Sequence, residues 1–258
     1  MTLAVAIEGA NGIVLAADSR ATFGDPRGLT AVNDTVNKIF KPTPRIAVAM
    51  AGQADTGNSL MQHIAAGLSP IPGANVDQVA DVMRTVGNQF FTQWFGAPTW
   101  LIGGNGPVAA PRPDVWYILA GYAQNGQPKI VSLGSTLPFN FAPNLSTTGF
   151  AVIGIVPLAV YLLNRLYSRG LDLDIAKDLA AYCILETASQ DGKVGGPIRM
   201  AIVRPNADTE LMSDDEIADL EKRVSAHREA LRSSFLNLEK EQRRTADAPP
   251  SAPALTPA

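Results

Sequence analysis

The sequence predicts an α+β fold: two antiparallel β-sheets packed face to face, with a pair of helices on each outer surface, in four layers α/β/β/α. Three observations lead there. Hairpin signals recur along the chain. The apolar period alternates between strand-like and helix-like in the order strands, two helices, strands, two helices, strand. The strict strand–helix alternation of a parallel sheet is missing.

Thr2 to Ile7 and Ile13 to Ala17 are apolar at most positions and flank Asn11-Gly12, a hairpin turn pair. The second of these strands ends on charge, Asp18-Ser19-Arg20. A loop, Gly24-Asp25-Pro26-Arg27-Gly28, leads to a short segment about Lys38-Ile39-Phe40 and a strand from Ile46 to Met50 that ends at Gly52. Asp55 stands where it can cap a helix whose apolar face is Leu60, Met61, Ile64 and Leu68. A second helix carries Val79, Val82, Met83, Val86, Phe90 and Trp94 at helical spacing. Gly103-Gly104-Asn105-Gly106 lacks the spacing and the lysine of a phosphate loop and reads as a plain loop. Val115 to Gly121 and Ile130 to Leu133 form another hairpin about Asn125-Gly126, and Phe150 to Gly154 is a strand. Pro157 sits at the first position of a helix through Leu162, Leu163 and Leu166. Ile175 to Ala188 is the fourth helix, and Ile198 to Val203 is the closing strand.

Composition changes past Pro205, which predicts a globular domain over 1–205. A charged helix over 213–243 opens with capping-box spacing at Ser213 to Glu216. Its stripe of Ile217, Leu220, Val224, Leu231, Phe235 and Leu238 needs burial against the sandwich or a neighbouring subunit. The Ala/Pro-rich tail over 245–258 cannot build a core and is predicted disordered.

The formal net charge of −3 provides no footprint for nucleic acid or anionic lipid. No apolar run approaches a membrane span, and no basic segment precedes an apolar run in the manner of a secretory signal. The single cysteine, Cys183, excludes an internal disulfide framework, reads as a core residue and points to a reducing cytoplasm. Two histidines, His63 and His227, make a poor basis for a metal centre and leave a Ser-His-Asp hydrolase short of its base.

A hydrolase with so little histidine can use a free α-amine, whose pKa of about 8 lies near working pH. With Met1 removed, as expected before a small residue, Thr2 joins a hydroxyl nucleophile and an amine base in one residue. Such a pair needs a nearby cation, a carboxylate to hold that cation, and backbone N–H donors for the oxyanion. Taken alone, Thr2 is also an ordinary first strand residue, and Asp18 with Lys38 is also a structural ion pair.

Thr2, the run Leu15-Ala16-Ala17-Asp18-Ser19-Arg20-Ala21-Thr22 and Lys38-Ile39 resemble the proteasome β-type family of N-terminal nucleophile (Ntn) hydrolases. So do Met50-Ala51-Gly52 ahead of an Asp-led helix, Ile153-Gly154, and Asp191 followed by Gly195-Gly196. The likeness spans residues 2–205 in order. It implies the four-layer sandwich and a threonine-type endopeptidase that uses no metal or organic cofactor. Thr2 would be the nucleophile, Lys38 its charge partner and Asp18 the group orienting Lys38. Arg20 would brace the site floor, the Gly52 N–H would line the oxyanion hole, and Asp191 would support the site. Thr22 would offer backbone to an extended substrate, with Ala21, Met50 and Ala54 shaping the first specificity pocket. The likeness further implies a peptide or unfolded-protein substrate, a homo-oligomeric ring in the cytoplasm and an ATP-dependent unfoldase as partner. Two positions depart from the family pattern: Ile155 and Val194 stand where it carries serines that bond the terminal amine and the aspartate. A third difference is a longer stretch between Arg20 and Lys38. Two other classes therefore stay open, a catalytically silent ring or scaffold subunit and an Ntn amidohydrolase acting on a small amide.

Overall fold

The structure is a computed structural model that describes residues 2–24, 30–96, 98–100, 107–109, 112–136 and 140–246. Met1, the loop after Gly24, the Gly103–Gly106 run and the tail beyond Ala246 lie outside the described residues. The first half of the chain forms β1 (Leu3–Gly9), β2 (Gly12–Ala17), β3 (Ala21–Gly24), β4 (Thr30–Asn33), β5 (Ile39–Thr43), β6 (Ile46–Gly52), α1 (Ala54–Leu68) and α2 (Val76–Phe95). There follow β7 (Pro98–Trp100), β8 (Pro107–Ala109), β9 (Val115–Tyr122), β10 (Pro128–Gly134), β11 (Asn144–Leu145) and β12 (Phe150–Gly154). The chain then makes α3 (Val156–Leu166), α4 (Leu173–Gln190), β13 (Arg199–Val203), β14 (Glu210–Leu211) and α5 (Asp214–Ala246).

Two five-stranded antiparallel sheets result, ordered β12-β1-β2-β13-β14 and β11-β10-β9-β6-β5. The stretch between Arg20 and Lys38 contains a ribbon, β3 against β4, and β7 pairs with β8 in another. The first hairpin turns one residue earlier than the sequence suggests. Gly9 pairs with Gly12, so Ala10 and Asn11 occupy the turn and Gly12 already belongs to β2.

The central strands are apolar at nearly every position because each sheet is covered on both faces. On β1, Leu3, Val5 and Ile7 join a cluster with Leu163 of α3, Cys183 of α4 and Leu220 of α5, while Ala4 and Ala6 join the layer between the sheets. That middle layer is rich in alanine, including Ala17, Ala47, Ala49 and Ala120, interleaved with Ile and Leu side chains such as Leu15 and Ile118. The second sheet buries its other face against α1 and α2 through Met50, Leu60, Ile64, Val79 and Met83. The Cys183 thiol is pushed up to about 12 by burial, so it packs as an inert hydrophobe.

Helix starts follow local chemistry. Gln53, not Asp55, is the N-cap of α1; Asp55 lies in the first turn, where its charge faces the positive end of the helix dipole. Asn75 and Gln78 form a capping box at α2 that the sequence reading missed. Ser213 and Glu216 form the predicted reciprocal pair ahead of α5, with Ser213 N–H donating to the Glu216 carboxylate at 2.8 Å. Two predicted core residues face out instead, Trp94 on α2 and Leu166 on α3. Each lies in the last turn of its helix. On α5, Ile217, Leu220 and Val224 are buried, whereas Leu231 and Phe235 are exposed and the side chain of Leu238 lies outside the described residues.

The alanine-rich middle layer sets the separation of the sheets and generates a stability prediction. Ala49→Leu, which forces three carbons into a fully buried site, lowers the unfolding free energy by about 1–3 kcal/mol in urea melts.

Candidate active site

Thr2 immediately precedes β1 and is almost completely buried. Because β1 lies between β12 and β2, a strand end flanks Thr2 on each side. On the β12 side, the Ile155 N–H donates to the Thr2 carbonyl at 2.9 Å, and Gly154 pairs with Leu3. Gly154 has φ +91°, and a Cβ there would lie 1.8 Å from the Thr2 oxygen, so only glycine lets β12 close over this residue. From the second sheet, Gly52 ends β6 at φ +102°, with its backbone packed so tightly on Asp114 that a Cβ would lie 2.0 Å from the Asp114 oxygen.

On the β2 side stands Asp18, fully buried and accepting four hydrogen bonds. Its Oδ1 accepts from the Leu3 N–H at 3.0 Å and from Lys38 Nζ at 2.8 Å. Its Oδ2 accepts from the Arg20 N–H at 3.2 Å and the Gly195 N–H at 3.0 Å. The Lys38 ammonium also donates to the Arg20 carbonyl at 2.6 Å, and its third N–H has no partner among the described residues. Burial pulls Lys38 below the ordinary lysine value, and the Asp18 charge opposes that pull.

The Arg20 side chain makes its own contacts. Its guanidinium grips Asp34 with two parallel bonds at 2.7 and 2.8 Å and reaches the Gly192 carbonyl at 3.1 Å. The Arg20 guanidinium holds the Asp34 carboxyl below the usual carboxylate range. Asp34 is the residue sequence reasoning missed. It lies in a polar segment after β4 with no spacing signal, and only the need of Arg20 for an anion hints at it.

Thr2, Lys38, Gly52, Ala21, Met50 and Ala54 share the walls of one cavity of about 180 Å³, which Thr22 also lines. The Thr22 hydroxyl is shut off from solvent with no hydrogen-bond partner among the described residues. A second cavity, of about 810 Å³, shares Thr2 and Gly52 and opens toward β12. Asp191 stands apart in its bonding: its carboxylate accepts from the Lys193 N–H at 2.9 Å and its carbonyl from the Val194 N–H at 3.0 Å, closing the turn after α4. Val194 is fully buried in the core under the first sheet, and Ile155 packs against the same core.

A buried carboxylate with four donors is costly to disturb. Asp18→Asn destabilises the protein by about 3–5 kcal/mol in urea melts at neutral pH, because it leaves the Lys38 charge buried without its counter-ion. It also moves Lys38 further down. Between the folded and unfolded values of Lys38 the unfolded chain binds the extra proton, so this group makes stability rise with pH there. The variant therefore shows a wider rising interval than the parent when melts are compared across alkaline pH.

The model of the proteasome subunit family matches residues 2–69, the segment that carries Thr2, Asp18, Arg20, Lys38 and Gly52. Proteasome subunit beta 1 of Hyperthermus butylicus is 23% identical over 219 residues, covering 83% of this chain and 94% of that protein. Proteasome subunit beta of Methanococcus vannielii is 24% identical over 217 residues, covering 83% of this chain and 88% of its own. Among solved structures, Anbu from a Hyphomicrobium strain superposes with a TM-score of 0.68 at 19% identity, covering 90% of this chain and 96% of that one. A mutant of the same Anbu gives 0.68 at 20% identity, with 91% and 96% covered. The chain is thus similar to proteasome subunits over residues 2–69 and, at low identity, to proteasome beta subunits over most of its length, and it shares its α/β/β/α fold with the Anbu structures.

Proposed function

We propose that this chain is a threonine-type endopeptidase in which Thr2, exposed by loss of Met1, is the nucleophile. The observation that carries the reading is the Thr2–Lys38–Asp18 arrangement: Thr2 and Lys38 share one cavity, and Asp18 holds the ammonium from behind. Thr2 Oγ attacks the substrate carbonyl while the freed α-amine takes the hydroxyl proton. The third N–H of Lys38 is available to the forming alkoxide, and a cation in a buried site stabilises that charge more than one in water does. The Gly52 N–H receives the oxyanion. The amine then returns its proton to the departing nitrogen, and water releases the acyl-enzyme. Thr22 offers its backbone to an extended peptide, and Ala21, Met50 and Ala54 form a small apolar pocket beside it.

A second reading has its own observation. Val194 is fully buried among apolar side chains, and Ile155 packs against the same cluster, so neither supplies the hydroxyl found in the family pattern. That favours a scaffold subunit that kept the fold and lost turnover. The two readings part in one experiment. Mass spectrometry of the native protein finds Thr2 as the first residue, a threonine-directed electrophile labels it, and Thr2→Ala abolishes hydrolysis of fluorogenic peptides with the melting curve intact. Retained Met1, or an unlabelled Thr2, rejects the peptidase.

The division into a domain over 1–205, a helix over 213–243 and a tail over 245–258 is part of the same proposal, as is a cytoplasmic homo-oligomeric ring fed by an ATP-dependent unfoldase. Among the described residues no helix is long and apolar enough to cross a membrane. The apolar stripe of α5 supports self-association. It is buried up to Val224, yet Leu231, Phe235 and Leu236 are 54%, 66% and 46% exposed further along the helix. Leu231→Glu combined with Phe235→Glu shifts the protein from assembly to monomer in size-exclusion chromatography with light scattering, while the helical circular dichroism signal is kept.

A further inference from the structure

The two cavities at Thr2 differ in size and in the strands that build them. The smaller, of about 180 Å³, is walled by β3, the end of β6 and the start of α1. The larger, of about 810 Å³, lies on the side of β12 and draws walls from β9, β10 and β11. Ligand pockets typically run from about 300 to 1,000 Å³, so the smaller cavity suits one modest side chain and the larger suits a bulky group.

The larger cavity is walled mainly by apolar groups, among them Trp116, Val152, Ile153 and Val156, with Ser132 on the facing strand. These walls are held in place. The Ser135 hydroxyl accepts from the Val115 N–H at 2.9 Å and donates to the Pro113 carbonyl at 2.8 Å, which pins the chain entering β9. The Trp116 ring lies against Gly134 of β10. Val152 and Ile153 pair with Val5 and Ala4 of β1. A rigid apolar wall gains more from burying an aromatic ring than a mobile one does, because less freedom is lost on binding.

We propose that the larger cavity receives the side chain that follows the scissile bond, and that it selects bulky apolar residues there, so that substrate choice lies on the leaving-group side. The inference rests on the hydrolase reading above. With the acyl part of the peptide in the smaller cavity and its carbonyl carbon at Thr2 Oγ, the leaving nitrogen points toward β12. In that step the Oγ–carbon bond forms, the carbon–nitrogen bond breaks, and the proton taken by the Thr2 amine goes to the leaving nitrogen. The selected residue departs with the amine product, so the preference acts on acylation, not on the later attack by water.

The test uses internally quenched peptides that are identical except for Phe or Gly directly after the scissile bond. The Phe peptide shows kcat/KM roughly ten-fold or more above the Gly peptide, the scale expected from burying one aromatic side chain. Filling the cavity with Ser132→Trp, or independently with Val156→Trp, brings that ratio to about one; two variants on different elements guard against a fold defect in either. A parental ratio near one, or a ratio that survives in folded filled variants, overturns the proposal. If neither peptide is cleaved, the hydrolase reading fails separately, and calorimetric binding to Thr2→Ala protein decides. A Phe-over-Gly affinity preference lost on filling upholds the cavity's selectivity, and equal affinities overturn it.

Discussion

The Asp18 carboxylate lies at the end of an apolar strand with no exposure to solvent, a position that is untenable for a charge unless every lone pair is used. Four donors meet it there, and they come from four different places: the first residue of β1, the residue two beyond Asp18 itself, the lysine ahead of β5 and the loop before β13. One carboxylate thus ties together both edges of β2, the second sheet and the α4–β13 loop. The Leu3 N–H bond fixes the backbone directly after Thr2. Lys38 is held by the same oxygen, so the threonine and the ammonium are placed by one atom.

Around that point the fold works by thickness. A two-sheet sandwich with helices on both faces has three apolar layers, and the middle one must be thin for strand ends from both sheets to reach a common site. Ala4, Ala6, Ala47 and Ala49 supply that thinness, which lets Gly52 from the second sheet approach Thr2 from the first. Larger side chains would stabilise an isolated layer by burying more surface, but they would push the sheets apart and separate Thr2 from Gly52. The outer layers have no such limit and hold the buried Met and Phe residues along with many of the Leu and Ile.

Sheet and helix identity was legible in the chain because double coverage makes strands continuously apolar and the helices carry clear stripes. What escaped reading depends on tertiary position. Asp55 has the chemistry of a cap, yet the chain leaves β6 so that Gln53 takes the cap position and Asp55 falls into the first turn. Trp94 continues the stripe, but it falls in the last turn of α2 and faces out. Asp34 offered no periodicity at all; its partnership with Arg20 exists only after the β3–β4 ribbon folds back beside the site. Of the candidate site, the residues read from the strand ends converge, whereas the carboxylate of Asp191 is engaged by its own turn.

The two positions that depart from the family pattern contribute through the main chain. Ile155 reaches Thr2 with its backbone N–H, and the residue after Val194 reaches Asp18 with its own. A main-chain donor is indifferent to the side chain it carries, so exchanging serine for Ile or Val leaves these two anchors in place. The apolar side chains then take the vacated direction and join the core beneath the first sheet, which rewards burial rather than polarity. On the proposed mechanism, what changes is proton handling at the amine and not the placing of the nucleophile. On that mechanism the consequence belongs to rate: a site whose geometry is set by backbone and by Asp18 keeps its shape while proton transfer would fall to the Thr2 amine.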